Sequence, residues 1–505
     1  MAMRKTMDMK RTILMMVLAC MSVGMGIRAQ EAAVEVTKNA ANYGFRPDAK
    51  ASDNVAALQR AVGDGGTVLI DVAGTYEVDK EVVLKSNTTV IFGANTVVRK
   101  TADCSVFINE GAFSRTFDEN IAIVGLHLDC NNHEARFYEN AYGLLGHIAM
   151  FYVRNLSIDG FHVDNLPSAS FGIHVCTFEN IRITNCYIEG RKDGIHLGRG
   201  KGFYIAHCWF KTFDDPIALN GHDYPISNPE IGWIENGLID DCYDLADEER
   251  GTTGFFARIL AGGWKDWEEG QEYQYNGDVC VSDGKIYRTT AGDPYGKGKQ
   301  LARASSKPTH ESGSVTGEDG LTWTFQQSQG VGYTAGVRNV VFSNIHLQKP
   351  RITALSIHFD RDGWSRSYYP GSTIPVQENL VFENIFVEAE LKSLIVAVTP
   401  VNSIKIVNSI IDNCKACDLI SLDPSSGIEY GKTHILLSGV TFRGHGTQTI
   451  VNADQRTASL KVVGSIVEND DYKAVVGRGV DVLFSDMDVY STYSTSPLRY
   501  SPSGW

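Results

Sequence analysis

Gly172-Ile-His-Val175, Gly194-Ile-His-Leu197 and Pro216-Ile-Ala-Leu219 recur at intervals of 22 residues, and their reading decides the fold. Each is a short run in which apolar side chains alternate, the period of a strand with one face buried. No helical period intervenes, which excludes βαβ units. A second phrase accompanies them: Asn155–Val163 (NLSIDGFHV), Asn180–Ile188 (NIRITNCYI), Asn339–Leu347 (NVVFSNIHL), Asn379–Val387 (NLVFENIFV) and Ser403–Ile411 (SIKIVNSII). A repeat of about 22 residues built only of strands and polar turns is one coil of a solenoid whose strands stack on the coil below. The sequence therefore predicts an all-β, right-handed parallel β-helix.

Working outward, the ends of such a stack need covers, because a terminal coil exposes both its edge and its core. Residues 53–62 read as an amphipathic capping helix with Ser52 or Asp53 as N-cap, followed by first coils up to residue 100. Coils continue through 101–263 and resume over 329–505. Between them, residues 264–328 break the period and are rich in aromatic residues and turns, among them Trp264, Trp267, Tyr273, Tyr287, Trp323 and Asp283-Gly284. They predict a small inserted β-module, whose aromatic rings either grip sugar faces or form its own core.

Residues 1–29 place Lys5, Lys10 and Arg11 before an apolar run from Ile13 to Ala19, the layout of a signal peptide and of a secreted, periplasmic or cell-surface protein. Val17-Leu-Ala-Cys20 also fits a lipidation site, the one route to a membrane surface. Removing this segment, with its five basic residues and one acid, takes the formal net charge from −14 to −18. Nucleic acid is thereby excluded as a partner, since binding a polyanion depends on Lys and Arg. Of the ten cysteines, Cys186, Cys208 and Cys242 fall in equivalent phrases and read as stacked interior thiols rather than a disulfide framework.

The chemistry resides in three acids. Asp193 lies two residues before Ile195 and Asp215 two before Ile217, so they occupy equivalent places on successive coils, with Asp214 adjacent. Strands about 4.8 Å apart bring the three carboxyl groups together. Because Ile195, Leu197, Ile217 and Leu219 point inward, the acids are expected on an open outer wall. Crowded like charges raise at least one pKa, which supplies a general acid near neutrality.

Asp193-Gly-Ile-His196 followed by Asp214-Asp-Pro-Ile217 resembles the family 28 glycoside hydrolases, the polygalacturonase and rhamnogalacturonase group. The lead-in, Tyr43-Gly-Phe-Arg-Pro47 through Gly65-Gly-Thr-Val68 to Gly74-Thr-Tyr76, is similar to the opening of the wider pectin-degrading β-helix superfamily. The resemblance implies an inverting hydrolase in which Asp214 is the general acid, while Asp193 and Asp215 position and deprotonate water. The chain also departs from the family. Asn-Thr-Asp is here Arg191-Lys192-Asp193, the coil expected to carry Gly-His-Gly reads Thr253–Ile259 (TGFFARI), and the uronate-binding cations of Arg-Ile-Lys are replaced by Ser356 and His358. A literal Gly444-His-Gly446 lies many coils away. These departures point from galacturonate towards a neutral polysaccharide or oligosaccharide.

Candidate substrate-binding groups are His174, His196, Arg258 and His358, stacked beside the carboxylates in the coil alignment, and His222, Asp223, Asp360 and Arg361 on loops leaving those coils. Hydrolysis by this set calls for neither metal nor cofactor. Three other functions share the fold. A Ca²⁺-dependent polysaccharide lyase would use Lys192, Arg199 or Lys201 as base, a tailspike- or adhesin-like protein would bind glycans without turnover, and an exo-acting α-galactosidase would belong to the same β-helix class.

Overall fold

In a computed structural model, residues 37–501 are described apart from 224–226, 248–250, 292–296, 360–370, 415–417, 425–427, 429, 445–448, 454–455, 470–474, 486–487 and 491–498. The signal-peptide segment and Cys20 lie outside them. The chain is a parallel β-helix: strand after strand pairs in parallel with the strand one coil earlier, in a single continuous ladder. The register shows the stacking directly. Ile173 pairs with Ile195, Ile195 with Ile217, Ile217 with Ala257 and Ala257 with Leu355. All five side chains are buried in the central core, alongside Ile183, Ile205 and Ile239 from a neighbouring sheet.

The asparagines that open the repeated phrase have a structural cause. Asn155, Asn180, Asn236, Asn339 and Asn379 all have φ between 51° and 59°, the left-handed region that turns the chain between strands. Asn tolerates this conformation better than other residues with a side chain. Its amide is also useful there: Asn155 donates to the Asn120 side chain (3.0 Å), and Asn379 to that of Asn339 (2.9 Å), tying turn to turn along the stack. A second ladder joins Asn384 to Asn344 (2.9 Å) and Asn344 to Asp240 (2.7 Å).

The capping helix spans Ala51–Val62 and buries Leu58, Ala61 and Val62. It begins earlier than the sequence predicts. Ser52 and Asp53 lie inside its first turn, and Lys50 stands at the N-cap position without a side-chain hydrogen bond. Asp53 instead places its charge at the positive end of the helix dipole. Cys186, Cys208 and Cys242 are buried free thiols, with Cys208 and Cys242 paired in register.

Within residues 264–328 the chain forms a separate five-stranded sheet, in which Asn276–Ser282 and Lys285–Thr290 make a hairpin across Asp283-Gly284. Both turn residues have positive φ, 48° and 72°, the geometry a tight two-residue hairpin requires. Tyr273, Tyr287 and Trp323 are buried together with Cys280 and Leu321. These rings are the core of the inserted sheet and are withdrawn from any sugar.

Candidate active site

Asp193 and Asp215 sit in the turns that lead into Ile195–Leu197 and Ile217–Asn220. Their backbones are locked together, since Gly194 N donates to Asp215 O (2.9 Å) and Gly172 N to Asp193 O (3.0 Å). One carboxylate oxygen from each of Asp193, Asp214 and Asp215 lies within 4.8 Å of the other two. Equivalent positions on adjacent coils thus bring acids 21 and 22 residues apart into one cluster. The turn carrying Asp214 is braced from below. Thr212 Oγ1 donates to Asp214 O (2.8 Å), Lys349 Nζ donates to Thr212 O (2.7 Å), and buried Arg351 clasps Asp244 (2.6 and 3.0 Å) while reaching Thr252 Oγ1 (2.7 Å). Gly254 approaches so closely that a Cβ there would lie 2.6 Å from Asp215 Oδ1, so no side chain fits at that point.

The three carboxyls have different surroundings. Lys192 contacts Asp214 Oδ2 and lies 3.2 Å from Asp193 Oδ1, while His196 Nδ1 lies 3.0 Å from Asp193 Oδ2. Burial pushes Asp193 up, but Lys192, His196 and Arg258 outweigh it and hold the group well below the usual carboxylate range. Asp215 behaves oppositely. Burial raises it, Asp214 and Asp193 add to the rise, and the opposing Arg258 charge and the Phe255 N–H (2.7 Å) leave it well above an ordinary aspartate. Asp214 is raised by burial and by Asp193 against the pull of Lys192. Its side chain is 26% exposed, which makes it the member of the trio that solvent reaches.

The open outer wall expected from the strand pattern is not what the structure has. Asp193 and Asp215 are at most 3% exposed, and His174, His196 and His222 at most 1%. The side chains do leave the coil on the outer side of the strands, but a second layer covers them. The coil from Gly200 to its partner Ile234 is 34 residues long instead of 22, and the extra chain folds back over the strands. Asn228 Oδ1 meets His174 Nε2 (3.1 Å), Asp223 Oδ2 stands 3.9 Å from His196 Nε2, and Phe171 stacks on the His196 ring at 4.0 Å. The inserted sheet pins this cover, for Gln327 Oε1 accepts from Ile231 N (3.0 Å). Glu230 anchors it through Arg115 (2.8 Å), Arg199 (3.0 Å), Tyr152 (2.8 Å) and Thr177 (2.7 Å).

His174 and His196 share one column, paired in register. Leu145 N donates to His174 Nδ1 (3.0 Å), which fixes the proton on Nε2, aimed at Asn228. Burial and neighbouring His196 keep His174 far below the usual histidine range. His222 is likewise lowered by burial and by Arg288, and it packs 5.9 Å from the Trp264 ring. Arg258 continues the column of His196 and Ala218. His358 does not. Ser356 pairs with Arg258, whereas His358 pairs with Leu260, two residues further along, and is linked back by Ser356 Oγ to His358 Nδ1 (2.6 Å). The alignment slips because a 98-residue interval separates Arg258 from Ser356 and no period can be counted across it. Asp360, Arg361 and His445 lie outside the described residues.

Three contributors escaped sequence reading in these roles: Lys192 as the cation between two acids, Phe171 as the ring over His196, and Asn228 as the cap on His174. Lys192 was signalled by its adjacency to Asp193. Phe171 opens the regular strand Phe171–Thr184, where nothing in the period marks it as a cover, and Asn228 comes from a coil whose excess length was visible but whose direction was not. Cavities of about 340 and 750 Å³ flank the inserted sheet, and none of the three aspartates lines either one.

Residues 69–231 match the model for glycosyl hydrolases family 28, which bears out the resemblance drawn from the two aspartate motifs, both within the matched span. The match supports glycoside hydrolase activity. Among solved structures, the chain is similar to an exopolygalacturonase from Thermotoga maritima at 11% identity, covering 90% of this chain and 92% of that one with a TM-score of 0.46. It is also similar to a family 28 exopolygalacturonase from Yersinia enterocolitica at 13% identity, covering 93% and 78% with a TM-score of 0.43. A tailspike protein of E. coli bacteriophage HK620 is similar at 8% identity, covering 90% and 81% with a TM-score of 0.40. No curated protein matches the chain.

Proposed function

We propose that the protein is a secreted, inverting glycoside hydrolase acting on a neutral polysaccharide or oligosaccharide. The observation that carries this reading is the split within the trio: one carboxyl whose surroundings favour its ionised form and two whose burial and like-charged neighbours favour the proton, with an oxygen of each within 4.8 Å of the other two. Asp214, raised and accessible, donates its proton to the glycosidic oxygen as the C–O bond breaks. Asp193, ionised, takes the proton of the water that forms the new bond at the anomeric carbon. Asp215 holds that water against Asp193, its own proton favoured by burial and by the neighbouring carboxyls. The spacing is shorter than the roughly 6.5–9.5 Å usual where water sits between the two carboxyls. In this scheme the water is therefore gripped by the Asp193–Asp215 pair on one face of the sugar, while Asp214, the most exposed member, reaches the departing oxygen on the other.

Neutral sugar is favoured because Lys192 and Arg258 are already committed to the acids, and Ser356 and His358 bring no fixed positive charge for a uronate. His174, His196, His222, Arg258 and His358 are proposed as substrate-side or positioning groups. Of these, His174, His196 and His222 act from beneath the cover. Incubating the purified protein with pectic, galactan, arabinan and host-type glycans and measuring new reducing ends tests the reading. Release of reducing ends from a neutral glycan supports it, and inertness towards every neutral glycan with cleavage of uronate chains alone refutes the specificity.

A lyase is the second reading, favoured by the same trio as a Ca²⁺ cradle with the Lys192 ammonium beside it. Product absorbing in the ultraviolet, abolished by chelator, would establish it. Secretion is tested by the N-terminus of the exported protein. A chain starting near Gln30 indicates signal-peptide removal, and a lipid on Cys20 indicates membrane anchoring.

A further inference from the structure

Away from the aspartates, another outer face carries a column of rings, one per coil. His127 pairs in register with His162, and His162 with Tyr187. The column continues further along through Tyr243, His346 and Phe386, stacked at 4.4 and 4.8 Å. Such stacking explains most of its members by packing alone.

The first two differ from the rest. Their rings lie 4.5 Å apart but are tilted by 60°, and Asp164 follows two residues after His162 on the same face of the strand. A nitrogen of His127, a nitrogen of His162 and an oxygen of Asp164 all lie within 4.8 Å of one another. Both rings are half-buried and Asp164 is exposed. The polar atoms of these side chains make no hydrogen bond or ion pair with other described residues. Their neighbours are already engaged. Asp129 is taken by Arg99 (2.6 Å) and Asn165 (2.7 Å), the Tyr187 hydroxyl by Glu189 (2.5 Å), and His346 by Glu388 (3.3 Å).

We propose that His127, His162 and Asp164 form a binding site for a divalent transition-metal ion of the Zn²⁺ class. Two imidazoles and one carboxylate suit such an ion, whereas Ca²⁺ and Mg²⁺ seek oxygen alone. Bonds of about 2.0–2.1 Å place tetrahedral ligands about 3.3 Å apart, so the three donors must close by no more than about 1.5 Å. Rotation about side-chain torsions of partly exposed residues supplies that movement. The two histidines belong to successive coils, so a bound ion would staple one coil to the next, with water completing its shell. The site is independent of the aspartate trio and of the hydrolase reading.

The test is calorimetric titration of untagged, chelator-stripped full-length protein with ZnCl₂, with Co²⁺ absorption as a second readout. The reference is the H127F/H162F double variant. Phe386 already occupies this column, so phenylalanine keeps the stack and removes only the nitrogens. Wild type is expected to bind one more Zn²⁺ per chain than the double variant, and D164N to bind that ion at least about tenfold more weakly. D193N/D214N/D215N is expected to retain it. Equal stoichiometry and affinity in wild type and double variant overturn the proposal, as does loss of the extra ion in the aspartate variant instead. Should the metal-free melting temperature show that the double variant fails to fold, D164N decides alone, and unchanged affinity in it refutes the site.

Discussion

Substituting Asp193 by Asn removes one charge from the centre of the cluster while keeping its shape. The Asn amide still reaches His196 and Lys192, which lie 3.0 and 3.2 Å from the carboxylate, so the fold should survive. What disappears is the only acid of the three that its surroundings hold ionised. General-base assistance is worth about 10²–10⁴-fold, or roughly 2.7–5.4 kcal/mol of barrier at 1.36 kcal/mol per factor of ten. Turnover should fall by that factor with KM little changed, as expected for an interaction realised in the transition state. A second consequence distinguishes this mechanism from simple damage. Asp193 raises Asp214, so its neutralisation lowers the Asp214 pKa. A general acid works only while protonated, and activity is lost as pH rises through its pKa. The alkaline limb of the residual pH–rate profile should therefore move to lower pH. Reducing-end assays over a pH series read both effects. Turnover within threefold of wild type, or an alkaline limb that stays in place, refutes the assignment.

D215N should abolish activity yet raise the melting temperature at pH 7. The folded Asp215 holds its proton above the model-peptide pKa of about 3.9, so the unfolded state binds fewer protons and stability falls as pH rises from that value towards the folded pKa. The gain should vanish below about pH 4, and a variant no more stable than wild type at pH 7 contradicts this. R351A strands buried Asp244 without its partner and should cost about 3–5 kcal/mol in denaturant unfolding, with weakened turnover because the Asp214 turn loses its brace. A loss below about 1 kcal/mol would show that Arg351 is not a strut. N339A places a β-carbon-bearing residue without the Asn amide at φ 57° and cuts its ladder, costing about 1–3 kcal/mol, whereas N339G should recover the backbone share. Equal losses in the two variants would assign the whole effect to the ladder.

Much of the fold was legible because a solenoid repeats its physics at fixed intervals. Ile195 and Ile217 fall 22 residues apart, point the same way and pair in register, and that placement also brings Asp193 beside Asp214 and Asp215. The turn asparagines were visible as a phrase, and their positive φ explains why they recur. What the sequence hid were departures from the period. The 34-residue coil after Gly200 announces extra chain, but nothing in it says that Asn228 and Asp223 fold back over His174 and His196. The aspartates were expected in the open for that reason. Similarly, His358 was placed beside Arg258, when the strand after the long interval enters two residues out of step. The helix start was missed because Asn54, whose side chain accepts from Arg46 N (2.9 Å), organises the approach from inside the helix.

The central claim is that a carboxylate-activated water attacks the anomeric carbon opposite a leaving group protonated by Asp214. Proton NMR of the first products, recorded before mutarotation equilibrates them, tests it most directly. A product whose anomeric configuration is opposite to that of the substrate linkage agrees with the mechanism. Retained configuration, or an unsaturated sugar end, contradicts it.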